Sequence, residues 1–355
     1  MIGVAGPFSQ PRGVSMQRAA QLAADEINAR RGVGGGGGGR AGRQIRLQFA
    51  DDSGREDVAL RIAHAFVANP AVVAVIGHLS SGTSIAAGRL YGQGDDPVVM
   101  ISPSASSPDL SGLNPYVFRV CPSDLTHGPQ LARFARQTLG ASRAGVIYIN
   151  NDYGRGVRAT FVSEFTRIGG TVLEEDPYVP ATTSLEPYLA RMRQSGGVDV
   201  LMLATERGGA ELALREMANL GTRWPVIGGD ALTGVEAAGG GLAEGVRVSS
   251  AYLPDRSGDR NAAFVAKYGE VYAGERPDHR GAGAYDIVYL LARAAHDVGT
   301  GRRALRNYLA GVGRSTPAFE GVTGTIAFDD RGDVPAKPVV IGIVRGGRLV
   351  TEGAR

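Results

Sequence analysis

The chain has 355 residues, 43% of them hydrophobic and 21% charged, with a formal net charge of +3 at pH 7. That length is too great for one ordinary core and points to two domains of a soluble globular protein. The dispersed, nearly balanced charges argue against nucleic-acid binding. No apolar run approaches the roughly 18 residues of a membrane span, and the lone Cys121 permits neither an internal disulfide nor a cysteine zinc site.

In chain order, Ile2 to Ala5 reads as a strand with no signal peptide before it, so either the protein is cytoplasmic or a targeting segment has been removed. Met16, Ala19, Ala20, Ala23, Ala24 and Ile27 follow a 3.6-residue period, which predicts a helix ending near Arg31. The six-glycine tract Gly34 to Gly39 reads as a flexible surface loop, because no lysine or Ser/Thr follows it in phosphate-loop register. Ile45, Leu47 and Phe49 alternate as a strand ending in Asp51-Asp52, and a helix is expected from about Glu56 to Ala68. Asp51-Asp52 resembles a metal pair but is read as a turn and helix cap, so no metal and no cofactor is expected.

The next stretch, Val72-Val73-Ala74-Val75-Ile76-Gly77-His78-Leu79-Ser80-Ser81-Gly82-Thr83-Ser84, organises the chain. An apolar strand stops at a glycine, small hydroxyl residues follow, and a helical pattern begins. Free N–H groups, hydroxyls and the positive end of a helix dipole then meet at one point, which suits an anion. The pattern returns where Pro97 to Ile101 runs into Ser102-Pro103-Ser104-Ala105-Ser106-Ser107. Two such loops after neighbouring strands predict one pocket at the carboxyl edge of a parallel sheet. His78 beside them is read as a hydrogen-bonded structural histidine.

Tyr116 to Val120 predicts a strand leaving this unit, and Asp124 or Thr126 caps a helix reaching about Leu139. A second unit then repeats the rhythm, with strands at Gly145–Ile149, Thr171–Glu175, Val198–Ala204 and Val226–Gly228 and helices near 156–168, 185–195 and 209–220. A strand at Val246–Ala251, helices at 259–272 and 282–298, and strands at Thr325–Phe328, Val339–Arg345 and Arg348–Val350 complete the expectation. The class is α/β, with two doubly wound, Rossmann-like lobes.

Several segments carry a family resemblance. Gly6-Pro7-Phe8-Ser9, Ala24-Asp25-Glu26-Ile27-Asn28, Asp51-Asp52-Ser53, Val75-Ile76-Gly77-His78-Leu79-Ser80-Ser81 and Ile101-Ser102-Pro103-Ser104-Ala105 resemble the branched-chain amino-acid binding proteins. So do Arg119-Val120-Cys121-Pro122-Ser123-Asp124, Asn151-Asp152-Tyr153-Gly154-Arg155-Gly156 and Phe328-Asp329-Asp330-Arg331-Gly332-Asp333. These are extracytoplasmic solute receptors of ABC transporters with the type I periplasmic-binding-protein fold. The resemblance implies three hinge crossings, near 119–123, 249–254 and 327–332, with lobe I at 1–120 plus 252–328 and lobe II at 121–251 plus 329–355. It further implies a monomer that captures a small-molecule ligand, an amino acid or amide-like, in an interlobe cleft. A membrane permease is the implied partner, and the implied location is periplasmic or otherwise extracytoplasmic.

By matching motif positions, the resemblance places Ser81, Ser104 and Ser106 in the lobe I ligand site, with Ser81 and its helix start holding an α-carboxylate and Ser106 with the Ser104 carbonyl near the α-ammonium. Tyr153 matches an aromatic that covers the ligand, and Asp230 falls where an acid often meets the ammonium. Two departures stand out. The cysteines of one branch near Gly54 and Ser80 are absent, and Glu206 occupies a position that is often aromatic. A buried Glu206 requires either a neighbouring arginine, Arg207 or Arg12, or a ligand with a polar or cationic side chain, which is slightly favoured over leucine, isoleucine or valine.

Rival readings exist. The serines lack a Gly-x-Ser-x-Gly elbow and a recognisable triad, so serine hydrolysis is not expected and no catalytic residue is assigned. Gly154-Arg155-Gly156-Val157-Arg158-Ala159 matches G-x-G-x-x-A with Glu174 and Glu175 downstream, the best case for an NAD-dependent oxidoreductase. A sensor built on the same two lobes is a third possibility.

Overall fold

The computed structural model describes residues 1–34 and 42–353, so most of the six-glycine tract lies outside the described residues. The chain runs β1 (Ile2–Gly6), α1 (Pro11–Ala29), β2 (Leu47–Asp51), α2 (Glu56–Ala68), β3 (Ala74–Ile76), α3 (Ser81–Tyr91), β4 (Val99–Ser102) and β5 (Val117–Arg119). Among the described residues these strands form a five-stranded parallel sheet in the order β2-β1-β3-β4-β5. Its inner strands are buried on both faces, which is why Val72 to Ile76 and Val98 to Ile101 read as continuous apolar runs rather than alternations.

The second rhythm follows as α4 (Asp124–Arg133), continued by a π-helical turn at Phe134–Thr138, then β6 (Arg143–Ile149), α5 (Asp152–Arg167), β7 (Thr171–Tyr178) and α6 (Glu186–Gln194). Next come β8 (Val200–Ala204), α7 (Arg207–Asn219), β9 (Val226–Gly228) and β10 (Arg247–Ser250). The tail contributes α8 (Asp259–Val271), α9 (His279–Val298), α10 (Arg302–Gly311), the hairpin of β11 (Phe319–Gly321) and β12 (Gly324–Ile326), and finally β13 (Val340–Arg345) and β14 (Arg348–Thr351). Among the described residues the larger sheet has seven strands in the order β14-β13-β10-β9-β8-β6-β7, parallel from β10 to β7 and antiparallel at β13 and β14.

The helices depart from the sequence pattern at several points, three of them for a local reason. Helix α5 begins at Asp152, not near 156, because the Asn151 side chain accepts the Gly154 N–H at 2.9 Å and starts the helix early. Helix α9 begins at His279 because Asp278 accepts the N–H groups of Arg280 and Gly281, each at 3.0 Å. Helix α10 was not expected at all. Its apolar stripe is only Leu305, Tyr308 and Leu309, too short to stand out among Arg302, Arg303 and Arg306.

The chain divides into two compact units, Met1–Ser123 with Ser257–Lys337, and Asp124–Arg256 with Pro338–Arg355. Residues 329–337 were expected with lobe II but belong to unit 1, because Asp333 pairs with Arg119 at 2.7 Å and Lys337 hydrogen-bonds Thr323. Residues 252–256 belong to unit 2, where Leu253 joins the core and Asp255 accepts the Thr351 N–H at 2.8 Å.

Within unit 1, Arg302 shows how α10 is held. Its buried guanidinium donates to the carbonyls of Val72 at 3.0 Å, Asp96 at 2.8 Å and Asn69 at 2.7 Å, gathering the turns before β3 and β4. Arg302→Met leaves these carbonyls without donors and is expected to cost roughly 3 kcal/mol in urea unfolding. A loss below about 1 kcal/mol would show that water replaces the guanidinium.

Candidate functional site

In unit 1 the site is built on the exit from β3. Gly77 has φ +128°, and a Cβ there would lie 2.2 Å from the Ala5 carbonyl oxygen, so only glycine lets the chain turn against β1. The buried His78 ring is held from both sides, with Nδ1 2.6 Å from Asp52 Oδ2 and Nε2 3.3 Å from the Tyr91 hydroxyl. Burial, and then the nearby Asp52 charge, push the Tyr91 phenol far above its ordinary value. The His78 carbonyl accepts from Ser84 Oγ at 2.9 Å and Ser102 Oγ at 2.7 Å, so one peptide group ties the first turn of α3 to the end of β4. Asp52 also accepts the Gly54 N–H at 2.8 Å, while Asp51 accepts those of Ser9 at 3.0 Å and Ser53 at 2.7 Å. Both aspartates thus serve turns, and among the described residues no group of three His, Cys, Asp or Glu side chains could hold a metal ion.

The two serine loops meet directly. Ser81, at the start of α3, accepts the Ser107 N–H at 3.2 Å through its hydroxyl. Ser106 is 1% exposed, and its hydroxyl and that of Ser80 are shielded from water with no hydrogen-bond partner in the structure. Ser80 is the N-cap residue of α3, and hydroxyls desolvated without partners are costly. Ser104 instead lies 3.3 Å from His279 Nε2, at the first turn of α9. The sequence periodicity places that helix from 282, so His279 falls outside it, although Asp278 carried the signal of an N-cap.

In unit 2 the candidates follow three adjacent strands at their carboxyl ends. Tyr153 comes after β6, Glu206 after β8 and Asp230 after β9. The Tyr153 hydroxyl accepts the Ala231 N–H at 3.4 Å and sits where a Cβ on Gly229 would be, 2.2 Å away. Asp230 is 2% exposed and opens the short 3-10 turn Asp230–Leu232. Glu206 stands at the N-cap of α7 without capping it, and Arg207 Nε bonds Glu211 at 2.6 Å. Beside it, burial chiefly raises the Tyr178 phenol, its bond to Thr205 opposes this, and the Glu206 charge adds to the rise. The structure therefore brings Ser81 and Ser106 together in one unit, and Tyr153 and Asp230 together in the other.

Gly154 and Gly156 do not form a dinucleotide loop. Both lie inside α5, and a Cβ on Gly154 would come within 2.0 Å of the Ile149 carbonyl, so that glycine serves close helix–strand packing. A pyrophosphate loop needs its first glycine in the strand-to-helix turn, which Asn150 and Asn151 occupy here.

The family described as periplasmic binding protein matches residues 2–348. An ABC transporter substrate-binding protein from Desulfitobacterium hafniense, in complex with Leu, is 32% identical, with TM-score 0.82 over 99% of both chains. The branched-chain amino acid transporter substrate binding protein LivJ from Streptococcus pneumoniae, in complex with isoleucine, is 25% identical, with TM-score 0.86 over 98% of this chain and 97% of that one. Leu/Ile/Val-binding protein homolog 2 of Brucella abortus is 26% identical over 348 residues, 96% of this chain and 89% of the relative. The expected type I periplasmic-binding-protein fold is borne out, and these likenesses lend the oxidoreductase reading no support. No described helix is long and apolar enough to cross a membrane.

Asp278, which caps α9 next to Ser104, gives a pH prediction. Burial is the largest influence and pushes its carboxyl up, but Arg280, His279 and the Gly281 N–H together hold it below the ordinary value. A carboxyl depressed on folding adds stability above its unfolded pKa and loses it as pH falls through the folded one. Asp278→Asn is therefore expected to unfold earlier than the parent at neutral pH, with the gap in melting temperature narrowing across a range that starts at about pH 6 and runs through and below the unfolded pKa of about 4. A gap that is constant across that range would show that Asp278 does not carry it.

Proposed function

We propose that this chain, which belongs to the periplasmic binding protein family, is the extracytoplasmic solute-binding component of an ABC transporter and captures an α-amino acid. The observation that carries this is the pair of desolvated, unpartnered hydroxyls, one on Ser80 at the N-cap of α3 and one on Ser106 in the loop that Ser107 ties to Ser81. Helix N–H groups, the helix dipole and serine hydroxyls suit a carboxylate. In this reading Ser81 lies on the carboxylate, Ser106 and the Ser104 carbonyl lie near the ammonium, and Asp230 accepts the ammonium under cover of Tyr153. Closing around the ligand excludes water and strengthens these charge-assisted hydrogen bonds. The relatives carrying Leu and isoleucine support the amino-acid class. A membrane permease is the partner the reading implies, and no catalytic step is assigned.

Glu206 governs the choice of side chain. A polar or cationic ligand side chain is slightly favoured over leucine, isoleucine or valine as the companion of the Glu206 carboxylate. Titration calorimetry with leucine, glutamine, arginine and a small amide tests this, repeated on Glu206→Tyr. A wild type that prefers leucine, with the same order after substitution, removes Glu206 from selection.

Asp230→Ala is expected to weaken binding by roughly two to three orders of magnitude, since removing one partner of a buried charge pair costs about 3–5 kcal/mol. Unchanged affinity removes Asp230 from the site. Solution scattering is expected to show a smaller radius of gyration with ligand, and no change under confirmed binding counts against closure.

A further inference from the structure

Two of the motifs in the sequence, 119–124 and 328–333, have no role in the ligand site so far, yet they form one device behind it. Arg119 is 1% exposed, and its Nη1 donates to the carbonyls of Ala105 at 3.3 Å and Ser107 at 2.8 Å, the two that flank Ser106. Cys121 Sγ also reaches the Ala105 carbonyl, at 3.4 Å, and Ser123 Oγ reaches that of Ser106, at 3.4 Å. Three consecutive carbonyls of the loop are therefore held by residues 119, 121 and 123, and the Ser106 hydroxyl is left out of these bonds.

The arginine is itself fixed. Its Nε donates to Asp333 Oδ1 at 2.7 Å and its Nη2 to the Ser111 hydroxyl. Asp329 Oδ1 accepts the N–H groups of Arg331 and Asp333, each at 2.9 Å, and so shapes the turn that presents Asp333. Gly332 in that turn has φ +76°, and a Cβ there would lie 2.3 Å from the Val117 carbonyl, while its own carbonyl accepts the Arg119 N–H at 3.0 Å. The turn thus docks on β5, the edge strand of its sheet.

We propose that Arg119, oriented by Asp333, is a positioning residue for ligand capture. It clamps the carbonyls on both sides of Ser106 and so fixes the direction of that hydroxyl without touching the ligand. This rests on the reading of Ser106 as a ligand contact.

The test uses the full chain, with whichever of L-leucine, L-glutamine and L-arginine the wild type binds tightest as the probe in calorimetry, and with amide hydrogen exchange as a second readout that needs no ligand. Arg119→Lys keeps the charge but loses the separate donors to Asp333 and Ser111 that hold the side chain against the two carbonyls, and Asp333→Asn keeps the shape while weakening the hold on the arginine. Each is expected to weaken binding of that probe by at least about tenfold, while Arg119→Lys in a Ser106→Ala background adds less than about twofold, because coupled residues do not add. Exchange at residues 104–108 is expected to rise in both single variants, with no change in β6. Affinity losses that multiply in full, or unchanged affinity with only a lower melting temperature, would reduce the pair to a structural role and overturn the proposal. If the wild type takes up none of the amino acids tried, the functional reading fails on its own. Exchange then decides the clamp, and an unchanged 104–108 overturns it.

Discussion

Backbone carbonyls in a buried loop have to find donors inside the protein, and in unit 1 the choice of donors decides which way the serines face. The His78 carbonyl takes hydroxyls from Ser84 and Ser102. The carbonyls of residues 105 to 107 take Arg119, Cys121 and Ser123. With the acceptors turned inward, the loops present hydroxyls at the start of α3, where the helix dipole already favours negative charge. A polar site on an apolar sheet is stable here because its backbone is satisfied from behind.

The arginines that support this arrangement act on backbone carbonyls as well as on a carboxylate, Asp333 for Arg119 and Asp96 for Arg302. Arg119 and Arg302 are both buried, and each divides its guanidinium among carbonyls of loops that join strands to helices. A planar fork of five donors suits this task, which a lysine could not share out in the same way. One arginine serves the loop after β4 and the other the turns that lead into β3 and β4. Both ends of β4 are therefore pinned by arginines, the one before it more than two hundred residues away in sequence.

Unit 2 solves a different problem with less polar machinery. Its candidates stand at the carboxyl ends of β6, β8 and β9, where parallel strands expose helix starts. Tyr153 is placed by two small residues, Gly154 against the Ile149 carbonyl and Gly229 beneath the phenol. The phenol then takes the N–H of Ala231, the residue after the buried Asp230.

The sequence by itself determined the α/β class, the order of strands and helices through both rhythms, and the hydroxyl-rich loops after β3 and β4. These are local properties, since apolar runs, helical periods and turn residues act over a few positions. It left the starts of α5 and α9 too late, and missed α10, because caps and short charged helices carry little periodic signal. Only the tertiary structure decided which groups meet. The bonds of Asp52 to His78, Arg119 to Asp333 and Ser104 to His279 span separations of 26, 214 and 175 residues. Burial of one side chain against another depends on how distant segments pack, and no local pattern records that. The assignment of residues 329–337 to unit 1 has the same origin: a turn that reads as ordinary in the chain is claimed by an arginine more than two hundred residues earlier.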